Sequence, residues 1–338
     1  MTVLVTGGAG YIGSHVVLAL LETGRPVVVV DDLSTGFRSA VPPEVPFYQG
    51  RVDDRALIGR LFQTRAIDSV VHLAGRISVP GSLDDPLGYY QNNVAAALML
   101  AQTCIEAGVN RFIFSSSAAV YGAGASAPIP EDFPKQPSSP YGRSKLMTEN
   151  MLVDLATAHP AFTPISLRYF NVGGADPAGR AGQRNANGTG LIGLALDAAL
   201  GVRAHLDICG DDYDTRDGTG ERDYIHVSDL ARAHGAALDY LVGGGRQAAM
   251  NLGYGRGATV LEVVSALETV LGRGIACRRT PRRPGDCARA ISDVSQLRAT
   301  LDWRPRQDTL ALILESALAW RLGRENRWET ISMPAPHG

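Results

Sequence analysis

Val3-Leu4-Val5-Thr6-Gly7-Gly8-Ala9-Gly10-Tyr11-Ile12-Gly13-Ser14-His15 decides the fold. The aliphatic run Val3 to Val5 predicts a short buried strand. Ile12, Val16 and Leu20 then recur at four-residue spacing, which predicts a helix that Gly24 can cap at its end. Between strand and helix, Gly7, Gly10 and Gly13 remove Cβ atoms where the backbone must turn sharply and where a pyrophosphate would approach the helix N-terminus. A second run, Val27-Val28-Val29-Val30, ends at Asp31 and Asp32, and Asp31 stands eighteen residues past Gly13. From that place a carboxylate accepts hydrogen bonds from a ribose 2′-hydroxyl and repels a 2′-phosphate, so NAD is expected rather than NADP.

Working outward, strand-like runs recur at Val45 to Tyr48, Ser69 to Leu73, Arg111 to Ser115 and Ile165 to Tyr169, separated by helical stretches such as Asn93 to Ala107. Unbroken apolar strands alternating with helices predict an α/β fold, a doubly wound parallel sheet buried on both faces. After Phe170 the rhythm changes. Gly173 to Gly190 is polar, glycine-rich and too long for a simple connector. Beyond it we expect helices at Leu191 to Leu200, Ser228 to Leu241, Thr259 to Leu271 and Leu310 to Leu322, with a strand near Asp223 to His226. The expected organisation is a dinucleotide-binding domain over residues 1–170 to which later segments return, a smaller substrate-binding lobe over 171–330, and a disordered tail at 331–338.

Composition limits the function classes. The chain has 338 residues, too many for a peptide-scale or disulfide-built fold. Lys and Arg number 32 against 34 Asp and Glu, a net charge of −2, so no basic excess draws it to nucleic acid or an anionic bilayer. Cys104, Cys209, Cys277 and Cys287 are scattered without CxxC or metal-ligand spacing. No metal site is expected. No apolar run reaches about 18 residues, and no signal-like N-terminus is seen, so a cytoplasmic protein that does not span a membrane is expected.

Tyr141-Gly142-Arg143-Ser144-Lys145 sets Tyr141 and Lys145 four apart, hence on one helix face, with Ser139 as N-cap and Pro140 at the first helical position. A free phenol is a poor base at neutral pH. Lowering its pKa by about three units needs roughly 4 kcal/mol of preferential stabilisation of the phenolate. Lys145 and the positive nicotinamide of an oxidised cofactor are the groups able to supply it. Ser115-Ser116-Ser117 ends a strand at the carboxyl edge, where ligands bind in open α/β sheets.

These motifs together resemble the UDP-glucose 4-epimerase family of extended short-chain dehydrogenases. The three-then-three glycine spacing belongs to that type. The resemblance is carried further by Ser115-Ser116-Ser117-Ala118-Ala119-Val120-Tyr121-Gly122, Ser139 to Lys145, Leu167-Arg168-Tyr169-Phe170-Asn171 and Gly218-Thr219-Gly220-Glu221-Arg222-Asp223-Tyr224-Ile225-His226-Val227. It implies NAD as cofactor, a UDP-sugar as substrate, a homodimer, and interconversion of UDP-glucose and UDP-galactose through a transient 4-keto sugar. It also implies Ser117, Tyr141 and Lys145 as catalytic residues. Gly7, Gly10, Tyr11, Ile12, Gly13, Asp31, Asp32, Leu73, Ala74, Gly75, Asn92 and Phe170, with Tyr141 and Lys145, would line the cofactor. Asn171, Leu191, Arg222, Tyr224, Arg283, Asp286 and Ala290, with Ser117 and Tyr141, would hold the sugar nucleotide.

Some positions depart from the family pattern. Ile77 replaces a lysine, and the sequence leaves open whether Arg76 substitutes for it. Arg51 stands where an acid commonly meets adenine, Cys209 where an aromatic flanks uracil, and Gly190-Leu191-Ile192-Gly193 lacks the usual polar residue and proline. These blur base and sugar identity, and small Ala290 leaves room for a 2-acetamido group, so UDP-N-acetylglucosamine or a UDP-pentose stands as the alternative substrate. A remoter alternative is a non-catalytic NAD-binding scaffold. Ala118-Ala119 occupies the place of the acidic pair of related 4,6-dehydratases, which argues against dehydration.

Overall fold

The computed structural model describes residues 1–122, 128–184, 190–283 and 285–331. Its strands are β1 (Thr2–Thr6), β2 (Val27–Asp31), β3 (Phe47–Gln49), β4 (Ile67–His72), β5 (Arg111–Ser117), β6 (Thr163–Tyr169), β7 (Asn171–Gly173), β8 (Leu206–Cys209), β9 (Glu221–His226), β10 (Ala248–Leu252), β11 (Gly257–Thr259), β12 (Cys277–Thr280) and β13 (Arg289–Ala290). The helices are α1 (Tyr11–Glu22), α2 (Arg55–Thr64), α3 (Val79–Asp84), α4 (Pro86–Tyr90), α5 (Ala96–Glu106), α6 (Pro140–Ala158), α7 (Leu191–Ala199), α8 (Val227–Val242), α9 (Val260–Leu271), α10 (Ser295–Thr300) and α11 (Leu310–Ile331).

Seven strands form one parallel sheet in the order β10-β6-β5-β4-β1-β2-β3. The doubly wound sheet expected from sequence is therefore present. Strand order reverses between β1 and β4, the place where such sheets open a crevice at their carboxyl edge. Alternate residues of each strand feed two cores. Val3, Val5, Val27 and Val29 point to the face shared with α1 and α8, and Leu4, Val28, Val30, Val70 and Phe112 to the face shared with α2, α5 and α6. Every core strand is buried on both sides, which is why its sequence reads as an unbroken apolar run.

Gly24 follows α1 at φ 74°, with the Arg25 amide donating to the Leu20 carbonyl at 3.0 Å, so it caps the helix as expected. The expected helix from Asn93 to Ala107 starts earlier and wider, with a π-helical turn over Gln91–Ala95 leading into α5. Strand β10 has no counterpart among the expected strands. It follows α8 and pairs with β6 through Ala248↔Ile165 to Leu252↔Tyr169, so the main sheet is closed by residues from the second half of the chain. Beside it, β9 pairs with β7, β11 and β13, and β8 with β12. Helix α11 runs past Leu322 to Ile331. The tail expectation for 332–338, and that part of the Gly173 to Gly190 loop at 185–189, fall outside the described residues.

Candidate active site

The glycine turn is built by collisions that any side chain would cause. A Cβ on Gly13 would strike the Gly7 carbonyl, and one on Gly7 would lie 2.6 Å from the Ala74 amide nitrogen. Gly7 also takes φ 72°, a left-handed conformation that favours glycine. Gly10 is the N-cap of α1 and offers no side-chain cap, so the first-turn amides beside Tyr11, Ile12 and Gly13 face the crevice with the positive end of the helix dipole. At the end of β2, the Asp31 carboxylate accepts from the Ala9 amide at 2.9 Å and the Leu33 amide at 2.8 Å. Burial pushes its pKa up and these two amides oppose the rise. Asp32 follows and accepts from the Ser34 amide at 2.9 Å.

Leu73, Ala74 and Gly75 form the turn after β4. A Cβ on Gly75 would lie 3.2 Å from Asn93 Oδ1 and 3.7 Å from Lys145 Nζ, so glycine lets the loop sit close to both groups without crowding Asn93. Asn92 is half-buried in the π-helical turn, and it is the neighbouring Asn93 that reaches the loop. The Asn93 side chain accepts from the Arg76 amide at 2.8 Å, donates to the Arg76 carbonyl at 3.0 Å and reaches Ser144 Oγ at 3.1 Å. Sequence reading named Asn92 and missed Asn93; in Gln91-Asn92-Asn93 three amides stand side by side, and only the helix phase that buries Asn93 tells them apart.

Helix α6 starts at Ser139, whose hydroxyl accepts from the Gly142 amide at 3.1 Å, with Pro140 behind it. This presents Tyr141 in the first turn and Lys145 one turn on. Lys145 is 3% exposed, donates to the Ser115 carbonyl at 2.7 Å, and lies 5.9 Å from the Tyr141 ring centre. Ser117 ends β5 opposite Tyr169 of β6. Its hydrogen bond to Tyr141 draws that phenol's pKa down, but burial outweighs it and the net direction is up. The expected lowering of the Tyr141 pKa by Lys145 is thus not achieved within the chain itself. Burial also moves Lys145, down to about 8. Tyr89, 2% exposed and edge-on to Tyr141 at 6.5 Å between ring centres, is a further wall that sequence reading missed.

The chain leaves β6 at Tyr169 and runs through buried Phe170 into β7, where Asn171 pairs with Tyr224 of β9. Asn171, Tyr224 and Leu191 at the start of α7 line one cavity of about 80 Å³. Arg222 lies 4.0 Å from Asp286, and the Asp286 amide closes a turn on the Arg283 carbonyl at 3.2 Å. Ala290 sits opposite Arg222 in the β9 and β13 pair. The structure therefore brings Arg222, Asp286, Arg283 and Ala290 into one group at β9, two residues along the strand from Tyr224.

The departures are accounted for locally. Arg76 pairs with Asp85 at 2.5 Å and stacks on Tyr89, while Ile77 is 75% exposed. Arg51 is neutralised by Asp53 through two contacts of 2.9 Å. Cys209 rests 3.4 Å from Thr280 Oγ1, and Gly190 leaves the start of α7 without a side-chain cap.

The donor set fits a dinucleotide, with uncapped amides for a pyrophosphate, a strand-end carboxylate for a ribose diol, and a buried ammonium beside a glycine cradle. Sheet, glycine turn and the Tyr141 and Lys145 pair define an extended short-chain dehydrogenase. The sequence model of the NAD dependent epimerase/dehydratase family matches residues 3–253; the chain belongs to that family and, within it, to the UDP-glucose 4-epimerases. It is 51% identical over 323 residues to a UDP-glucose 4-epimerase of Azospirillum brasilense, covering 96% of this chain and 92% of the relative. The structure of the Stenotrophomonas maltophila enzyme with bound NAD and formylated UDP-arabinopyranose superposes with a TM-score of 0.94 at 37% identity, covering 97% of this chain and 99% of that one. That of the Brucella ovis UDP-glucose 4-epimerase in complex with NAD gives 0.91 at 40% identity, with 94% and 97% covered.

Proposed function

We infer that this chain is an NAD-dependent 4-epimerase that interconverts UDP-glucose and UDP-galactose. The observation that carries the reading is the meeting of Ser117, Tyr141 and Lys145 at the carboxyl edge of β5, beside the glycine cradle of Gly75. When bound, NAD supplies a hydride acceptor that becomes the hydride donor of the return step. Tyr141, as its phenolate, takes the proton of the sugar 4-hydroxyl and, as the phenol, later returns it. Ser117, hydrogen-bonded to that phenol, positions the sugar and relays the proton, and Lys145 places a positive charge beside both. Asn171, Leu191 and Tyr224 would hold the sugar nucleotide along their cavity. Arg222 and Arg283 would offer planar donors to the diphosphate or the uracil. Between the two hydride transfers the 4-keto sugar turns over about its diphosphate link, which presents its other face.

Purified protein mixed with UDP-galactose should yield UDP-glucose without accumulating free NADH, and Tyr141→Phe should abolish the conversion. Failure of the wild type to convert either sugar would overturn the reading.

Two further features complete the proposal. Leu98 on α5 and Met147 and Val153 on α6 are large apolar side chains between 41% and 51% exposed, which supports a homodimer packed through these helices. Sedimentation should give twice the chain mass, and Met147→Glu with Val153→Glu should give one. The four cysteines are all free thiols, which supports a reducing cytoplasmic setting; no helix is long and apolar enough to cross a membrane among the described residues.

A further inference from the structure

Tyr141, Lys145 and Glu149 succeed one another at four-residue steps along α6, so they share a face. The first two have parts in the reaction above and the third has none. Yet Glu149 is 5% exposed and is held by partners on two strands. Arg168 of β6 grips both carboxylate oxygens, from Nε at 3.0 and 3.3 Å and from Nη2 at 2.7 Å. Ser116 donates to the same carboxylate from β5. Arg168 is fixed in turn by donating to Tyr121 Oη at 2.8 Å and to the Glu131 carbonyl at 2.9 Å, and Tyr121 donates to Asn251 Oδ1 at 2.6 Å. The neighbours of Ser116 on β5 are Ser115, which receives Lys145, and Ser117, which bonds Tyr141.

A buried ion pair of this kind is weak evidence for stability, since apolar residues of similar volume often serve as well. Its placement asks for another reason. The charged and titratable groups around Lys145 are Tyr141 and Glu149 on α6, His72 at the end of β4, and Arg168 and Tyr169 on β6. Glu149 alone among them carries negative charge. Burial drives Lys145 toward its neutral form, and Glu149 is the group that opposes this.

We propose that Glu149 is a positioning residue of the reaction: locked by Arg168 and Ser116, its carboxylate keeps the Lys145 ammonium charged and seated on Ser115 beside Tyr141. This rests on the epimerase reading given above. The chain contains two lysines, Lys135 and Lys145, so lysine labelled with carbon-13 at the ε-position gives two signals whose titration can be followed without any assay of activity. In Glu149→Gln the Lys145 midpoint should fall by about one pH unit, a tenfold change in its protonation equilibrium, and by more than that of Lys135, a less buried lysine that also feels Glu149 and Arg168. The alkaline limb of the kcat profile should move down with it, with KM for UDP-galactose within about twofold of wild type. Glu149→Asp should restore both toward wild type. Should Glu149→Gln fail to fold because Arg168 is left unpaired, the double variant Glu149→Leu with Arg168→Met removes both charges, and the Lys145 midpoint should still fall, by less than in Glu149→Gln. An unmoved Lys145 midpoint and an unmoved alkaline limb overturn the proposal, even where rate or stability falls. A wild type without epimerase activity overturns the underlying reading instead, and the lysine titration still decides the role of Glu149 toward Lys145.

Discussion

The Tyr11 hydroxyl donates a hydrogen bond to the Gly174 carbonyl at 2.6 Å, across 163 residues of chain. Tyr11 is the first residue of α1, on the glycine turn. Gly174 directly follows β7, which carries Asn171, and takes φ 89°. The bond therefore fastens the dinucleotide side of the crevice to the sugar-nucleotide side. Tyr11→Phe should keep the fold and lose about 1 kcal/mol, lowering Tm by roughly 1–2 °C. It should also lower the NAD content of the purified protein and raise KM for UDP-galactose together. Differential scanning calorimetry and bound-nucleotide analysis check this; an unchanged NAD content would leave the bond with a purely structural part.

Ser117 supplies the hydrogen bond that lowers the Tyr141 pKa against the effect of burial. Ser117→Ala removes it, so the acid limb of the kcat profile should move to higher pH. Hydrogen bonds to charged groups contribute about 1.5–3 kcal/mol, which predicts a tenfold or greater loss of kcat at neutral pH. Steady-state rates from pH 6 to 9 test this, and a uniform loss at every pH would contradict it.

Two glycines should respond in opposite senses. Gly13→Ala drives a methyl into the Gly7 carbonyl, which rigid backbone cannot move aside, and should cost about 1–3 kcal/mol with loss of NAD retention. Gly59 lies inside α2, and a Cβ there would meet nothing within 4 Å, so its replacement by alanine should gain about 0.5–1 kcal/mol. Urea denaturation of both variants separates the two cases.

Acid stability is set by buried histidines. Burial pushes His15 to about 4, His72 to about 3, and His226 and His234 each to about 4, all below the ordinary 6.5. The unfolded chain therefore binds more protons than the folded one below pH 6.5. Stability should change little between about pH 7 and 8, where neither these histidines nor Lys145 exchange many protons on folding, and fall as pH drops from 7 toward 4, by about 2 kcal/mol per histidine at pH 5. Melting temperatures from pH 8 to 4.5 should show the plateau and the fall; a flat profile would refute it.

Much of the fold was legible because its signals are local. The run Val27 to Val30 is buried on both faces and reads so, and the glycine turn carries its own steric reason. β10 was not legible. Ala248-Ala249-Met250-Asn251-Leu252 is weak strand sequence, and it becomes a strand because β6 offers it a bare edge and Asn251 meets Tyr121. The site divides in the same way. Tyr141 and Lys145 stand out by helical spacing, whereas Asn93, Tyr89 and the Glu149 and Arg168 pair act through contacts distant in sequence. The direction of the Tyr141 shift was also beyond spacing arguments, since burial depends on the whole fold.

The late arrival of β10 bears on how the protein is born. As it leaves the ribosome, Ile165 of β6 emerges well before Met250 of β10, and until then the outer edge of β6 has no neighbour. An uncovered strand edge invites pairing with another chain. Polypeptides truncated between β6 and β10 should accordingly clump or seek chaperones during synthesis, while chains that reach Leu252 should escape that fate.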